Sequence, residues 1–502
     1  MLIVSFLATL APMLIWAVGS PLMAVPDEPS HAIRAAAVVR GQLGRTPHSE
    51  QPTQSEALVP ASIAAAHALP CFAFRPEVSA GCQVPLQGDP QRNVTTGTTA
   101  GLNSPVYYAI VGLPSLLFHG ETAFIAMRAL NSVLCAALLA VMFVQLRRLP
   151  RSRWAVMCAA VAVTPMLLSL GGSINPNGVE AAAAGAFFAT LLASLRTASP
   201  GRRLWHQGCI SVVAMTFLVS GRSIGLLWAV LIIGTALLLA DRRVLRDVLA
   251  RPAAWVSAGT AATVGTVTVV WFGNPPQFAA EPTASAADPI TWLFIAAVTL
   301  VRTADYSAGL IGLFGWGTVP LPAFTGAAWA AVVLALLATA SYVAAGLARR
   351  VLFGAIAVMV VVPPFIQASA YAEYGFIWQG RYLLAPFLCT LLIAGYAIDR
   401  SERIAFTAPV QRLVLTAAVL LCIGQILAFI AMTIRFVVGS TGSPIDLILA
   451  PQWHPPVHWA ALTIALAAAS AAGWFAVVRS AARATTDEID GAVLPHQGGR
   501  RR

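Results

Sequence analysis

Lysine is absent from this chain, and all 31 basic residues are arginine. Charge of either sign is scarce, at 10% of residues against 58% hydrophobic, and the mean hydropathy is +0.76. Soluble domains carry roughly 25% charged residues, so a water-soluble fold is excluded for most of the 502 residues. Also missing are a Walker A loop, a Cys-x-x-Cys pair, His-Glu-x-x-His and Gly-x-Ser-x-Gly. Their absence removes the signatures of P-loop, zinc-protease and serine-hydrolase chemistry. His454 and His458 are spaced i, i+4, yet two prolines intervene and no third ligand is evident. No metal site and no cofactor are expected.

What is present is a series of apolar blocks of roughly 18–25 residues, the length that crosses a hydrocarbon core. Twenty-one arginines fall in six clusters: Arg147–Arg153, Arg196–Arg203, Arg242–Arg251, Arg349–Arg350, Arg400–Arg412 and the tail from Arg479. Each cluster follows an apolar block, and the blocks between clusters come in pairs. That is the positive-inside pattern of cytoplasmic loops. The net charge of +11 therefore reports topology and contact with anionic lipid, and nucleic acid is not an expected partner. Lysine-free, Ala/Arg-rich usage points to a GC-rich bacterial genome and the bacterial plasma membrane.

With the arginine clusters inside, the sequence predicts an all-α polytopic membrane protein of about twelve transmembrane helices over residues 1–480. Helix 1 is expected over Leu2–Pro21; no basic residue precedes it and no clear cleavage site follows, so it reads as retained. A long extracytoplasmic loop, 22–120, follows. It holds a helical stretch at Pro29–Gln42, an irregular Pro/Ser/Thr/Gly-rich section to Gly101, and an interfacial segment at Asn103–His119. That segment is short, contains Pro114, and as a span would put Arg147–Arg153 outside; Tyr107 and Tyr108 suit the headgroup region.

Later spans are expected over Glu121–Leu146, Trp154–Leu170, Asn177–Leu195, Gln207–Val219, Ser223–Ala240 and Pro252–Phe272. A second outer segment, 273–321, carries an interfacial helix at Pro289–Arg302. Phe324–Leu347, Val351–Ala370, Arg381–Ile398, Val410–Val437 and His458–Val478 complete the set, before a disordered cytoplasmic tail, 481–502. Of seven cysteines, Cys71 and Cys82 alone fall in the long outer loop, where a disulfide between them is permitted.

Polar residues at membrane depth are costly and open functional hypotheses. The first group is Pro26-Asp27-Glu28-Pro29-Ser30-His31, just after helix 1, with Arg34 one turn on. Acids at a helix start serve its dipole, but Asp27, His31 and Arg34 share a face, and an acid there is also a candidate general base. Arg128 lies at the same depth and either pairs with Asp27/Glu28 or binds substrate. Gly171–Gly178 with Glu180 reads as a turn and cap. Arg222, in a short outer turn, offers guanidinium geometry for a phosphate or a lipid headgroup. Gln379, Arg381 and Tyr382 either belong to the aromatic belt or hold an anionic or sugar-bearing ligand.

Five segments in order, PDEPSHAIRAAAVVRGQL, NSPVYYAIVGLP, RALNSVL, LIGLFGWGTVPLP and WQGRYLLAP, resemble the bacterial membrane-protein family known as domain of unknown function 2142, over about residues 1–440. That family is similar in turn to the C-type (GT-C) glycosyltransferases, which take a sugar from a polyprenyl phosphate on the outer face. The resemblance implies that Asp27, with Glu28, stands where those enzymes carry a first-loop acid. It also implies that Ser104-Pro105 opens the interfacial helix and that Arg128 is the arginine near the start of the second helix. Departures are the Asp-Glu pair in place of Asp-x-Asp, Arg222 where a lysine is common, and the lack of a large soluble C-terminal domain.

The implied function is inverting sugar transfer to an envelope acceptor, whether glycan, lipid or protein. Asp27 would be the base, Glu28 or His31 would orient it, and Arg222 and Arg381 would stabilise the leaving phosphate. Two alternatives stand beside it: a non-enzymatic carrier or flippase for a lipid-linked glycan, and an assembly subunit of an envelope complex.

Overall fold

The computed structural model describes residues 2–44, 46–47, 54–89, 91–274, 288–401 and 403–492, except for the side chains of Glu373 and residues 482–492. The chain opens with α1 (Leu2–Gly19) and α2 (Glu28–Val38). Strand β1 (Ser55–Pro60), the single turn α3 (Ala61–Ala64), strand β2 (Asn93–Thr98) and α4 (Pro105–Val111) complete the long loop. There follow α5 (Gly120–Leu146), α6 (Arg153–Ala162), α7 (Pro165–Gly171), α8 (Pro176–Arg196), α9 (Gly201–Gly221), α10 (Gly225–Leu238), α11 (Arg242–Leu249) and α12 (Pro252–Gly273). Then come α13 (Pro289–Val301), α14 (Thr303–Ile311), the two-residue pair β3 (Leu313–Phe314) and β4 (Val319–Pro320), α15 (Ala323–Val343) and α16 (Gly346–Tyr374). Helices α17 (Leu384–Ser401), α18 (Ala408–Val438), α19 (Asp446–Leu449) and α20 (Trp459–Ala492) close the fold.

Ten of these helices are long and apolar enough to span a membrane, or up to 13 spans if each of three bent pairs counts as one. The protein is thus an all-helical, multi-pass membrane protein. The expected span Trp154–Leu170 is the bent pair α6/α7 (67°), while the expected span Ser223–Ala240 is α10, which a 116° bend separates from α11. Pro165 has no N–H for the ladder of α6, and Thr164 Oγ1 caps the new start by accepting from the Leu167 N–H at 3.3 Å. At the second break, Asp241 Oδ1 accepts from the Arg243 and Val244 N–H groups. This cap turns the arginine-rich α11 away from the α10 axis, as suits an amphipathic surface segment.

Helices α8 and α17 are buried along nearly their whole length. Small residues permit this, because close backbone approach is what holds membrane helices together. A Cβ at Gly185 would come within 2.6 Å of Leu388 Cδ2 and Met142 Sδ. Helices α12, α15 and α20 keep most of their apolar surface outward, as a lipid-facing ring requires. The arginine clusters gather at one end: Arg147 reaches the Ser480 carbonyl, Arg196 the Leu239 carbonyl, and Thr197 the Arg148 carbonyl.

The long loop covers the opposite, arginine-poor end and is less irregular than its composition predicts. β1 and β2 pair antiparallel from Ser55↔Thr98 to Pro60↔Asn93. Thirty-odd residues separate them, so no tight-turn signal announces the ladder. α4, at seven residues, is far too short to span. α13 packs beside the arginine-poor half of α16, where Trp292 meets Phe365 and its indole N–H donates to Ser369 Oγ at 3.3 Å. α20 continues to Ala492, past the point where a disordered tail is expected, and 493–502 lie outside the described residues.

Cys71 and Cys82 form a disulfide. Arg435, near the end of α18, ties the same loop down by donating to the carbonyls of Phe72, Arg75 and Val78 at 2.6–3.3 Å. Thiol alkylation should label both cysteines only after reduction. A Cys82→Ser variant should lose about 2–3 kcal/mol in thermal unfolding, and labelling without reductant would contradict the bond.

Candidate functional site

The chain leaves α1 at the arginine-poor end and turns sharply into α2. Asp27, the N-cap residue of α2, makes this turn in the left-handed conformation at φ 69°. That conformation is costly for most L-residues and is best tolerated by Gly, Asn and Asp. It sends the adjacent carboxylates of Asp27 and Glu28 in different directions, and the two acids have different partners.

Glu28 turns inward and is fully buried. Its Oε1 and Oε2 accept from Arg128 Nε and Nη2, both at 2.7 Å, and Oε1 also accepts from the Ile174 N–H at 3.0 Å. Arg128, equally buried, spends its remaining donors on the carbonyls of Ala17, Ser20 and Pro21 at 2.8–3.0 Å. All five guanidinium N–H groups are therefore used within the protein. This corrects two expectations: Arg128 has no donor left for a ligand, and Glu28 has no accessible oxygen. Together they form a brace joining the end of α1, the start of α2, α5 and the loop before α8.

Asp27 turns outward. Its side chain is 48% exposed, and Oδ2 accepts from Arg381 Nη2 at 2.6 Å. Among the described residues, nothing donates a hydrogen bond to Oδ1. Arg381, 5% exposed, sits on the 3-10 turn Gly380–Leu383 that leads into α17. That turn packs tightly on α14, since a Cβ at Gly380 would stand 2.0 Å from the Tyr306 carbonyl oxygen. Only glycine fits there, so the position of Arg381 is set by backbone contact. Its Nε is buried without a partner.

Arg222, the residue closing α9, lies with its guanidinium carbon 3.6 Å from the centre of the Tyr382 ring and donates to Asn177 Oδ1 at 3.1 Å. Arg381 lies 5.5 Å from the same ring. Two guanidiniums thus converge on one tyrosine, with Asp27 beside them. Glu180, buried one turn into α8, is within electrostatic reach of Arg222. Gln379 is exposed and its side chain caps nothing.

His31, one turn after Asp27, is buried, and its Nδ1 is 2.8 Å from Tyr108 Oη. Tyr108 Oη also accepts from Asn103 Nδ2 at 2.9 Å, so His31, Tyr108 and Asn103 form one buried hydrogen-bonded chain. Burial lowers the His31 pKa to about 4, against an opposing pull from Asp27 and with help from Arg381 and Arg222. Burial also pushes the Tyr107 and Tyr108 phenols above their ordinary range.

The ring is neutral when folded, whereas an unfolded histidine titrates near 6.5. The unfolded chain binds the extra proton first, so the stability His31 contributes is complete above about pH 6.5 and is lost as pH falls towards 4. Thermal unfolding of the parent should weaken between pH 7 and 5, and a His31→Gln variant should show less of that loss. Equal acid sensitivity in both would remove His31 as its source.

Several residues that build this end carry structural contacts rather than chemistry. Asn131 on α5 accepts from Tyr107 Oη and donates to the Leu170 and Gly171 carbonyls. Asn175 Nδ2 donates to the Pro26 carbonyl at 3.3 Å. A Cβ at Gly172 would meet the Met13 carbonyl oxygen at 2.5 Å. The Gly171–Gly178 turn therefore packs directly under the acidic loop. Arg34 is structural, its guanidinium holding the Gln42, Leu43 and Gly44 carbonyls. Among the described residues, no three His, Cys, Asp or Glu side chains gather to hold a metal.

A half-exposed carboxylate paired with Arg381, with Arg222 sharing the Tyr382 ring with that arginine, defines the class as a multi-pass membrane protein with a cluster of charged side chains at one end. The chain belongs to the family described as predicted membrane protein (DUF2142), whose pattern matches residues 10–391. No curated protein matches it. Among solved structures, it is similar to apo ArnT from Cupriavidus metallidurans, at 12% identity, covering 93% of this chain and 74% of that one, with a TM-score of 0.43. The same protein bound to undecaprenyl phosphate is similar at 15% identity, covering 96% and 77%, again with a TM-score of 0.43.

Proposed function

We propose that this protein transfers a sugar from a polyprenyl-phosphate donor to an envelope acceptor on the extracytoplasmic face of the bacterial plasma membrane. The observation that carries the reading is the Asp27–Arg381 pair beside Arg222, with one carboxylate oxygen unengaged. The arginine-poor end is extracytoplasmic by the positive-inside rule, so a donor displayed on that face meets these groups.

Asp27 Oδ1 takes the proton of an acceptor hydroxyl as that oxygen attacks the anomeric carbon. The bond from the anomeric carbon to the phosphate oxygen breaks, and polyprenyl phosphate leaves with its electron pair. Arg222 and Arg381 stabilise the charge that builds on the leaving group, the electrostatic role that preorganised donors play in such transfers. The configuration at the anomeric carbon inverts. His31, held by Tyr108 and one helical turn from Asp27, backs the base from the interior. A cleft of about 320 Å³ between α8, α10, α16 and α17, lined from Trp228 and Pro386 to Leu347, is almost wholly apolar and suits the lipid tail.

The test is direct. Purified protein should bind a polyprenyl phosphate, and Arg222→Ala should weaken that binding about tenfold, the loss of one charge-assisted contact. Given a polyprenyl-phosphate sugar and envelope extract, the protein should release polyprenyl phosphate. Binding that is unaltered by Arg222→Ala, with no release from any donor, would overturn the reading.

A further inference from the structure

We propose that a crevice on the other side of the bundle is a binding site for one anionic phospholipid of the cytoplasmic leaflet. The crevice has a volume of about 640 Å³ and lies between α1, α5, α6, α15, α18 and α20. Its mouth carries Arg147, Arg479 and Ser480, and its inner end carries Val163, Trp329 and Gln425.

Depth argues for a lipid. Along α20 the lining runs from Ala469 to Ser480, about 16 Å of helix at ~1.5 Å per residue. One leaflet of a ~30 Å hydrocarbon core has that thickness. The wall below the arginines is mainly apolar, formed by residues such as Val156, Ala160 and Val163. A free anion has no use for such a wall, whereas an acyl chain does.

Charge selects the headgroup. Among the described residues no carboxylate lines the crevice, while two arginines stand at its mouth. Arg153 is close by, donating to the Ala481 carbonyl at 2.9 Å. Arg147 commits one contact, Nη1 to the Ser480 carbonyl at 3.3 Å, which leaves its other donors for a phosphate. Among the described residues, Ser480 Oγ, buried at the mouth, has no hydrogen-bond partner. An unpaired buried hydroxyl is costly, and a phosphate or ester oxygen would relieve it. By the positive-inside rule this end faces the cytoplasm, so the site is separate from the Asp27 pocket and does not depend on the function proposed for it.

The experiment uses the full-length protein in detergent, with phosphatidylglycerol, phosphatidylcholine and inorganic phosphate as probes. Native mass spectrometry should show one phosphatidylglycerol retained in preference to phosphatidylcholine. Thermal stabilisation should follow phosphatidylglycerol and be absent with inorganic phosphate. Arg147→Gln with Arg479→Gln should reduce the preference at least tenfold and leave polyprenyl-phosphate binding as in the parent. Ala469→Phe, which fills the crevice without touching its charge, should block retention of both lipids. Equal retention of the two lipids, a preference that survives the arginine changes, or stabilisation by inorganic phosphate alone would each overturn the proposal.

Discussion

Asp27→Asn should lower sugar transfer on the order of 10²–10⁴-fold, the usual contribution of a general base, while polyprenyl-phosphate binding stays within about twofold of the parent. The substitution is unusually clean here. Asp27 sits at φ 69°, and asparagine is among the few residues that accept this conformation without strain. The amide oxygen of asparagine can still accept from Arg381, so the guanidinium keeps its 2.6 Å partner and its place. What disappears is the ability to take a proton. Asp27→Ala would be less informative, because it adds backbone strain and frees a buried arginine at once. Measured as release of polyprenyl phosphate against lipid-phosphate affinity, an asparagine variant with full turnover would remove Asp27 as the base.

The second large effect is on stability. Glu28→Gln should cost about 3–5 kcal/mol, the loss expected when one partner of a buried ion pair is removed. Arg128 would then carry its charge at 1% exposure with only carbonyl oxygens around it. Arg128→Lys should be nearly as damaging, since an ammonium cannot reproduce five planar donors reaching Glu28, Ala17, Ser20 and Pro21. Replacing both residues by methionine should cost less than either single change, because no charge is stranded. Thermal unfolding in detergent reads all three. A Glu28→Gln protein as stable as the parent but inactive would move Glu28 from the brace to the chemistry.

The two adjacent acids show how far the sequence reading reached. That reading placed both at the arginine-poor end and named Arg128 and Arg381 among their neighbours. It makes Asp27 the base and lets Glu28 orient it, whereas Glu28 turns into the interior against Arg128, because neighbouring residues are told apart only by the direction each side chain takes. The left-handed turn at Asp27 sets that direction, and it depends on packing by the Gly171–Gly178 turn. Arg381 is 354 residues from Asp27, and no local pattern carries that pairing. The same holds for Arg435, whose contact with the disulfide loop spans some 360 residues of sequence. It holds too for Tyr108, which reads as an aromatic of the membrane interface but hydrogen-bonds His31 Nδ1 and Asn103 in the interior.

Spans, their approximate limits and the gathering of arginines at one end were legible because a bilayer imposes them locally. Each helix must satisfy its own backbone over a fixed apolar length, and charge is excluded residue by residue. The break at Thr164 and the β1–β2 ladder were not legible, since their bend and pairing depend on what lies alongside, whereas the Arg242–Arg251 cluster marks the end of the span before Asp241. Composition and periodicity alone therefore determined that this chain crosses a membrane many times and carries its polar groups at helix ends. Only the tertiary structure decided which charges neutralise each other in the interior and which face a ligand, because that choice depends on distances between segments hundreds of residues apart.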